Sequence, residues 1–85
     1  MNLIIDLSKK EPCLVLKKDS KEITSHCWTG LYQLSETLLL EIDKFLNKSK
    51  IKLGDVKKIK VIPSKESMVS TKIAKAIALG LKVKL

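Results

Sequence analysis

Eighty-five residues set the scale of one domain, close to the size at which a single hydrophobic core becomes marginal. The composition is 45% hydrophobic but holds only one Trp, one Tyr and one Phe, so any core must be aliphatic and modest. The net charge of +8 invites acidic companions, yet every basic residue is Lys; the chain has no Arg to supply the bidentate phosphate and base contacts typical of a dedicated nucleic-acid reader.

The chain opens on Leu3-Ile4-Ile5, a continuous apolar run of the kind found in central strands. Met1 to Asp6 has no basic leader and too short an apolar run for a secretory signal, and no later segment approaches membrane-span length. The expected location is the cytoplasm. Pro12 opens a second strand that runs through Lys17, and Lys18-Asp19-Ser20-Lys21 is turn chemistry. Glu22 to Trp28 then alternates, with Ile23, Ser25 and Cys27 on one side and Thr24, His26 and Trp28 on the other. These three segments read as an antiparallel meander. Cys13 and Cys27 fit no CxxC or metal pattern; in strands they read as small buried hydrophobes, and a disulfide requires that their strands be neighbours.

Thr29-Gly30 breaks the strand pattern ahead of a long helix. At about 100° per residue, Leu31, Leu34, Leu38, Ile42 and Phe45 fall on one core-facing stripe. Tyr32, Leu39 and Leu46 form an adjoining stripe at heptad spacing, and Leu40 points away from both. So wide an apolar arc exceeds what one packing face requires, and exposed contiguous apolar patches mark contacts. The helix fades at Asn47-Lys48-Ser49-Lys50, and Val56 to Ile62 reads as a fourth strand stopped by Pro63. Ser64 is the expected N-cap of a second helix, with Glu66 in its first turn. Its apolar side carries Val69, Ile73, Ala76 and Ile77, while Ser70, Ala74 and Ala78 make a small-residue side suited to close approach of another helix. Gly80 suits the C-terminal cap, and Leu81 to Leu85 alternates as a short fifth strand.

The order is therefore βββαβαβ, an α/β domain with a five-stranded mixed sheet. Lys58 and Lys60 oppose Ile59 and Val61, and Lys82 and Lys84 oppose Val83 and Leu85. Parallel strands covered on both faces read as unbroken apolar runs, so this alternation predicts both helices on one face and a wet opposite face.

Leu3-Ile4-Ile5-Asp6-Leu7-Ser8 resembles the opening of the actin/Hsp70/sugar-kinase superfamily, and the element order resembles the first half of its ribonuclease-H-like lobe. Within that superfamily the chain is similar to the TsaB family. Ile5-Asp6-Leu7-Ser8 resembles its IDTS-like start, and Leu34-Ser35-Glu36 through Leu46 resembles its first helix. That helix is followed by Ile51-Lys52-Leu53-Gly54-Asp55-Val56, and Ala76-Ile77-Ala78-Leu79-Gly80-Leu81 resembles the end of the family's second helix. The resemblance covers residues 1–85 as a single, shortened TsaB-like domain. Two departures stand out. The family's glycine-rich GPGSFTGxRxG segment is replaced by residues 62–70, which keep little beyond Pro63 and a serine, and the family's second half is absent. That half helps cover the open sheet face in the family; the lysines here read as adaptation to exposure, as expected of a naturally reduced form.

The resemblance places Asp6 and Ser8 where active superfamily members hold metal and phosphate, but a lone acid at a strand end with no glycine loop reads as structural. Ser64 to Ser70 has no glycine to let amides wrap a phosphate and reads as a helix cap. His26 has no partner at triad spacing, and Trp28 reads as a packing anchor. No catalytic, cofactor or metal residues are assigned.

What the resemblance implies is a non-catalytic subunit that pairs by a helix bundle with TsaD, the enzyme making N6-threonylcarbamoyladenosine on transfer RNA. A TsaE-like ATPase would join that complex, and RNA contact would be indirect. The expected partner-facing residues are Tyr32, Ser35, Leu39 and Leu46 of the first helix and Met68, Lys72, Lys75 and Leu79 of the second. The alternatives are a homodimeric scaffold using the same helices and a small basic RNA-binding domain using Lys58, Lys60, Lys82 and Lys84.

Overall fold

Leu3, Ile4 and Ile5 are apolar in succession because their strand becomes the middle of a sheet. In the computed structural model, which describes residues 1–30 and 33–83 (side chains of 82 and 83 excepted), strand β1 spans Asn2–Asp6. It pairs antiparallel with β2 (Cys13–Lys18) on one side and parallel with β4 (Lys58–Ile62) on the other. Strand β3 (Lys21–Cys27) pairs with β2, and the sheet order is β3-β2-β1-β4. The β2–β3 turn is made by Asp19 and Ser20, both at positive φ (52° and 69°), the backbone twist a two-residue hairpin needs and which short polar side chains tolerate.

The register puts Leu3, Ile5, Leu14, Leu16 and Ile59 on one face of the sheet, all of them buried. Helix α1 (Leu34–Lys48) covers that face with Leu34, Leu38, Ile42 and Phe45, the stripe its spacing predicts; Leu31 and Tyr32 lie outside the described residues. The helix ends where Lys50 turns to φ 57°. Its amide donates to Asn47 O and that of Ile51 to Leu46 O, closing the last turn and folding Ile51 back on the core. A short 3-10 turn (Leu53–Asp55) and buried Val56 then lead into β4, which starts two residues later than the alternation suggests.

Helix α2 differs from its sequence reading in four ways. It runs Met68–Val83, so Leu81 to Val83 is helical and not a fifth strand; Lys84 and Leu85 lie outside the described residues. The sheet has four strands among the described residues. Gly80 is an exposed residue inside the helix, not its cap. Ser67, not Ser64, caps its start: Ser67 Oγ accepts from Ser70 N at 3.1 Å, while Ser64 Oγ accepts from the amides of Glu66 and Ser67 in the preceding turn. The faces are also exchanged. Ser67, Ser70, Thr71, Ala74, Ala78 and Leu81 are buried, Ile73 and Ile77 are half-buried, and Val69 and Ala76 are exposed. Small side chains let α2 lie close against the sheet. The close approach that the small residues predict is made within the fold, where α2 packs on β4 and against α1.

The opposite sheet face is the wet one, as the lysine alternation predicts. Lys58, Lys60 and Ser25 are exposed there, and Ile4 and Val15 are half-buried, so β1 is covered fully on one side only.

A candidate protein-interaction surface

Two helices over a four-stranded sheet leave apolar side chains uncovered, and these define the candidate surface. On α1, Leu39 and Leu40 are 57% and 54% exposed, directly following the fully buried Leu38. With Ser35, Leu46, Leu53 of the 3-10 turn and Leu81 of α2, they line an open groove of about 610 Å³. Glu36 and Asp43 stand at its rim. The lining of the groove is mainly apolar, with these two carboxylates beside it.

The expected interface residues divide between two places. Ser35, Leu39 and Leu46 share the groove, although Leu46 is itself buried and belongs to the core. Met68, Lys72, Lys75 and Leu79 follow one another along the outward stripe of α2. Met68, Lys72 and Lys75 flank a hollow with Pro63 and Thr71, and Lys75 and Leu79 border β4. Met68 and Leu79 are 74% and 66% exposed. Tyr32 lies outside the described residues. Of the four lysines assigned to the open sheet face, Lys58 and Lys60 are there, Lys82 sits on α2, and Lys84 lies outside the described residues. The lysine face is thus smaller than the alternation suggests.

At the end of β1, Asp6 Oδ1 accepts from both the amide (2.9 Å) and the hydroxyl (2.6 Å) of Ser8. The carboxylate holds the turn leaving the strand. Among the described residues, no three His, Cys, Asp or Glu side chains converge as metal ligands. The start of α2 is equally self-contained: Ser64 N donates to Thr71 Oγ1, Thr71 Oγ1 to Ser67 O, and Ser67 Oγ to Ser70 Oγ. The Glu66, Ser67 and Ser70 amides that could face an anion are taken by serine hydroxyls.

The sequence reading missed the ties between β3 and α1. His26 Nε2 lies 3.0 Å from Glu41 Oε2 and its ring stacks between Trp28 and Phe45. Trp28 Nε1 donates to Thr37 Oγ1 at 3.3 Å, and Thr37 Oγ1 donates to Gln33 O. Trp28 is the packing anchor its position suggests. Gly30 follows at φ 153°, a backbone conformation that L side chains rarely adopt, which makes glycine the fitting residue at this junction. Cys13 and Cys27 stand directly opposite on β2 and β3 and are joined by a disulfide, with Cys13 buried and Cys27 exposed. They are a cross-strand link and not free apolar packing.

No helix among the described residues is long and apolar enough to cross a membrane.

These features define an α/β lobe of two helices on a four-stranded sheet, with exposed apolar side chains on both helices. No family model matches the sequence. No curated protein matches it either. Solved structures do. YeaZ from Pseudomonas aeruginosa superposes with a TM-score of 0.77 at 19% identity, over 99% of this chain and 40% of that one. A second structure, described as an uncharacterized protein with similarity to peptidase YEAZ from the same organism, superposes with a TM-score of 0.77 at 19% identity, over 99% of this chain and 39% of that one. The chain has the fold of the corresponding part of YeaZ, in agreement with the TsaB-like resemblance in its sequence. It spans about two-fifths of the length of the structures it matches.

Proposed function

We propose that this chain is a non-catalytic, TsaB-like subunit that binds and stabilises a TsaD-like enzyme in the N6-threonylcarbamoyladenosine modification of transfer RNA. The observation that carries the reading is the uncovered Leu39–Leu40 groove beside Leu81, on a chain with the YeaZ fold. The TsaD-like partner would hold the nucleotide and metal and perform the chemistry. Here α1 would supply apolar anchors, with Leu39 central because buried apolar groups dominate interface energetics. The outward stripe of α2 would extend the contact through Met68, Lys72, Lys75 and Leu79. A TsaE-like ATPase belongs to the same proposal, as does a cytoplasmic location.

Co-expression with the TsaD-like protein of the same genome, followed by size-exclusion chromatography, tests it. The two chains should elute together, and Leu39→Asp should separate them while keeping the far-ultraviolet circular dichroism of the free chain, because a charge at an exposed site is hydrated until a partner buries it. Leu38→Asp should unfold the domain. Elution as a homodimer with no TsaD-like chain would favour the scaffold alternative, in which the same helices pair with themselves. Tight binding of ATP by the isolated chain would contradict the non-catalytic assignment.

A further inference from the structure

The Cys13–Cys27 bridge sits at the open end of the β2–β3 hairpin, where little else joins the two strands. At the closed end the Asp19-Ser20 turn sets the pairing, which runs from Lys18–Lys21 to Cys13–Cys27. The Trp28 amide donates to Pro12 O at 3.1 Å, and proline has no N–H to return the bond. Hydrogen-bonded and non-hydrogen-bonded pairs alternate along antiparallel strands, so the neighbouring Cys13–Cys27 pair is a non-hydrogen-bonded one. Beyond the Leu14–His26 pair, one backbone bond and one disulfide therefore close the hairpin. The two sulfurs differ in access. Cys13 is 2% exposed, whereas Cys27 is exposed on β3, an edge strand bonded to β2 only. On either side of Cys27, His26 meets Glu41 and Trp28 donates to Thr37 Oγ1. Thr37 and Glu41 are one turn apart on α1, so the bridge anchors the strand end on which the first half of that helix leans.

We propose that Cys13–Cys27 is a reversible thiol switch, opened from the Cys27 side by a low-molecular-weight thiol, and that opening it loosens the end of β3 and the first half of α1 while the rest of the fold stays in place. A thiolate bonds to Cys27 Sγ as the S–S bond breaks, and the electron pair leaves on Cys13 Sγ, which takes up a proton. A second thiolate then attacks the sulfur of the first. That step forms the oxidised reductant and releases Cys27 as a thiolate, which is protonated in turn. Two thiols become one disulfide, and the protein's disulfide becomes two thiols. A buried Cys13 thiol packs as a small apolar group, so the open form keeps its core. Ser35 and Leu39, in the same half of α1, line the 610 Å³ groove. A protein bound there would favour the closed form, in which that half is already ordered. This consequence rests on the proposed function; the switch itself does not.

The test is a titration of the full chain with mixtures of reduced and oxidised glutathione, followed by the fluorescence of Trp28, its one Trp, and by amide NMR. Reduction and reoxidation should trace the same curve, with both cysteine thiols appearing together. In the reduced chain the backbone order parameters of Cys27 to Gly30 should fall from about 0.85 to below about 0.6. The amide shifts of Ser35 to Glu41 should move, while those of β1 and α2 stay in place. Intermediates quenched with acid and mapped by mass spectrometry should carry glutathione on Cys27 and not on Cys13. Four results would overturn the proposal: a bridge that millimolar reduced glutathione leaves closed in the folded chain, collapse of amide dispersion throughout on reduction, shifts confined to the two cysteines, or glutathione found on Cys13.

Discussion

The two edges of this sheet are finished in opposite ways. At β3 the strand is pinned three times. A disulfide joins it to β2, His26 reaches Glu41 of α1, and Trp28 follows the strand into a hydrogen bond with Thr37. Among the described residues, β4 has no side-chain hydrogen bond, ion pair or bridge to any other element. It relies on its pairing with β1 and on Ile59 and Val61 beneath α2. Exposed edges invite unwanted pairing, and lysine is a common deterrent. Here β3 is held by cross-links and β4 is guarded by charge alone.

If that contrast is physical, the largest effects lie at β3. Reducing the Cys13–Cys27 bridge, which spans a sequence separation of 14, should lower the stability of the chain by up to about 3 kcal/mol, read as a fall in the denaturant midpoint. An unchanged midpoint would mean that the hairpin is already closed by its turn and pairing. Trp28→Ala should cost about 2 kcal/mol, less than a fully buried aromatic because Trp28 is half-buried. Thr37→Ala should cost less than that, by removing only the indole's acceptor. Glu41→Gln keeps the shape of the His26 contact and should cost no more than about 1 kcal/mol. At β4 the combined Lys58→Glu and Lys60→Glu variant should alter stability by only about 0.5 kcal/mol, since both side chains are exposed. A large loss there would show that the lysines support the fold and do not merely guard an edge.

How far the sequence disclosed these features follows from how local each one is. The α1 stripe through Leu34, Leu38, Ile42 and Phe45 and the alternation of Lys58 to Val61 are patterns within one element, and both were legible. So was the exposure of Leu39, one position off the stripe. The β3 ties were not, because His26 and Glu41 come together only when α1 crosses the sheet, and the cysteine pair depends on strand register. Leu81 to Val83 misled for another reason. Its alternation has period two, but Leu81 also lies seven residues after Ala74 and three after Ala78, on the buried stripe of α2. So short an apolar run fits either element, and packing against the sheet decides it. Gly80 has no neighbour to clash with and sits on the helix surface, where it costs about 1 kcal/mol relative to Ala without ending the helix. The core face of α2 was misread because most of its buried positions are Ser, Thr and Ala, small enough for close contact but not apolar enough to stand out.

Amide hydrogen exchange of this chain, alone and mixed with the TsaD-like protein of its genome, tests the account most directly. Exchange should slow in α1 around Leu39 and in α2 around Leu81 when the partner is present, with β3 unchanged. Exchange that is identical with and without the partner, or slowed only at β3, would contradict it.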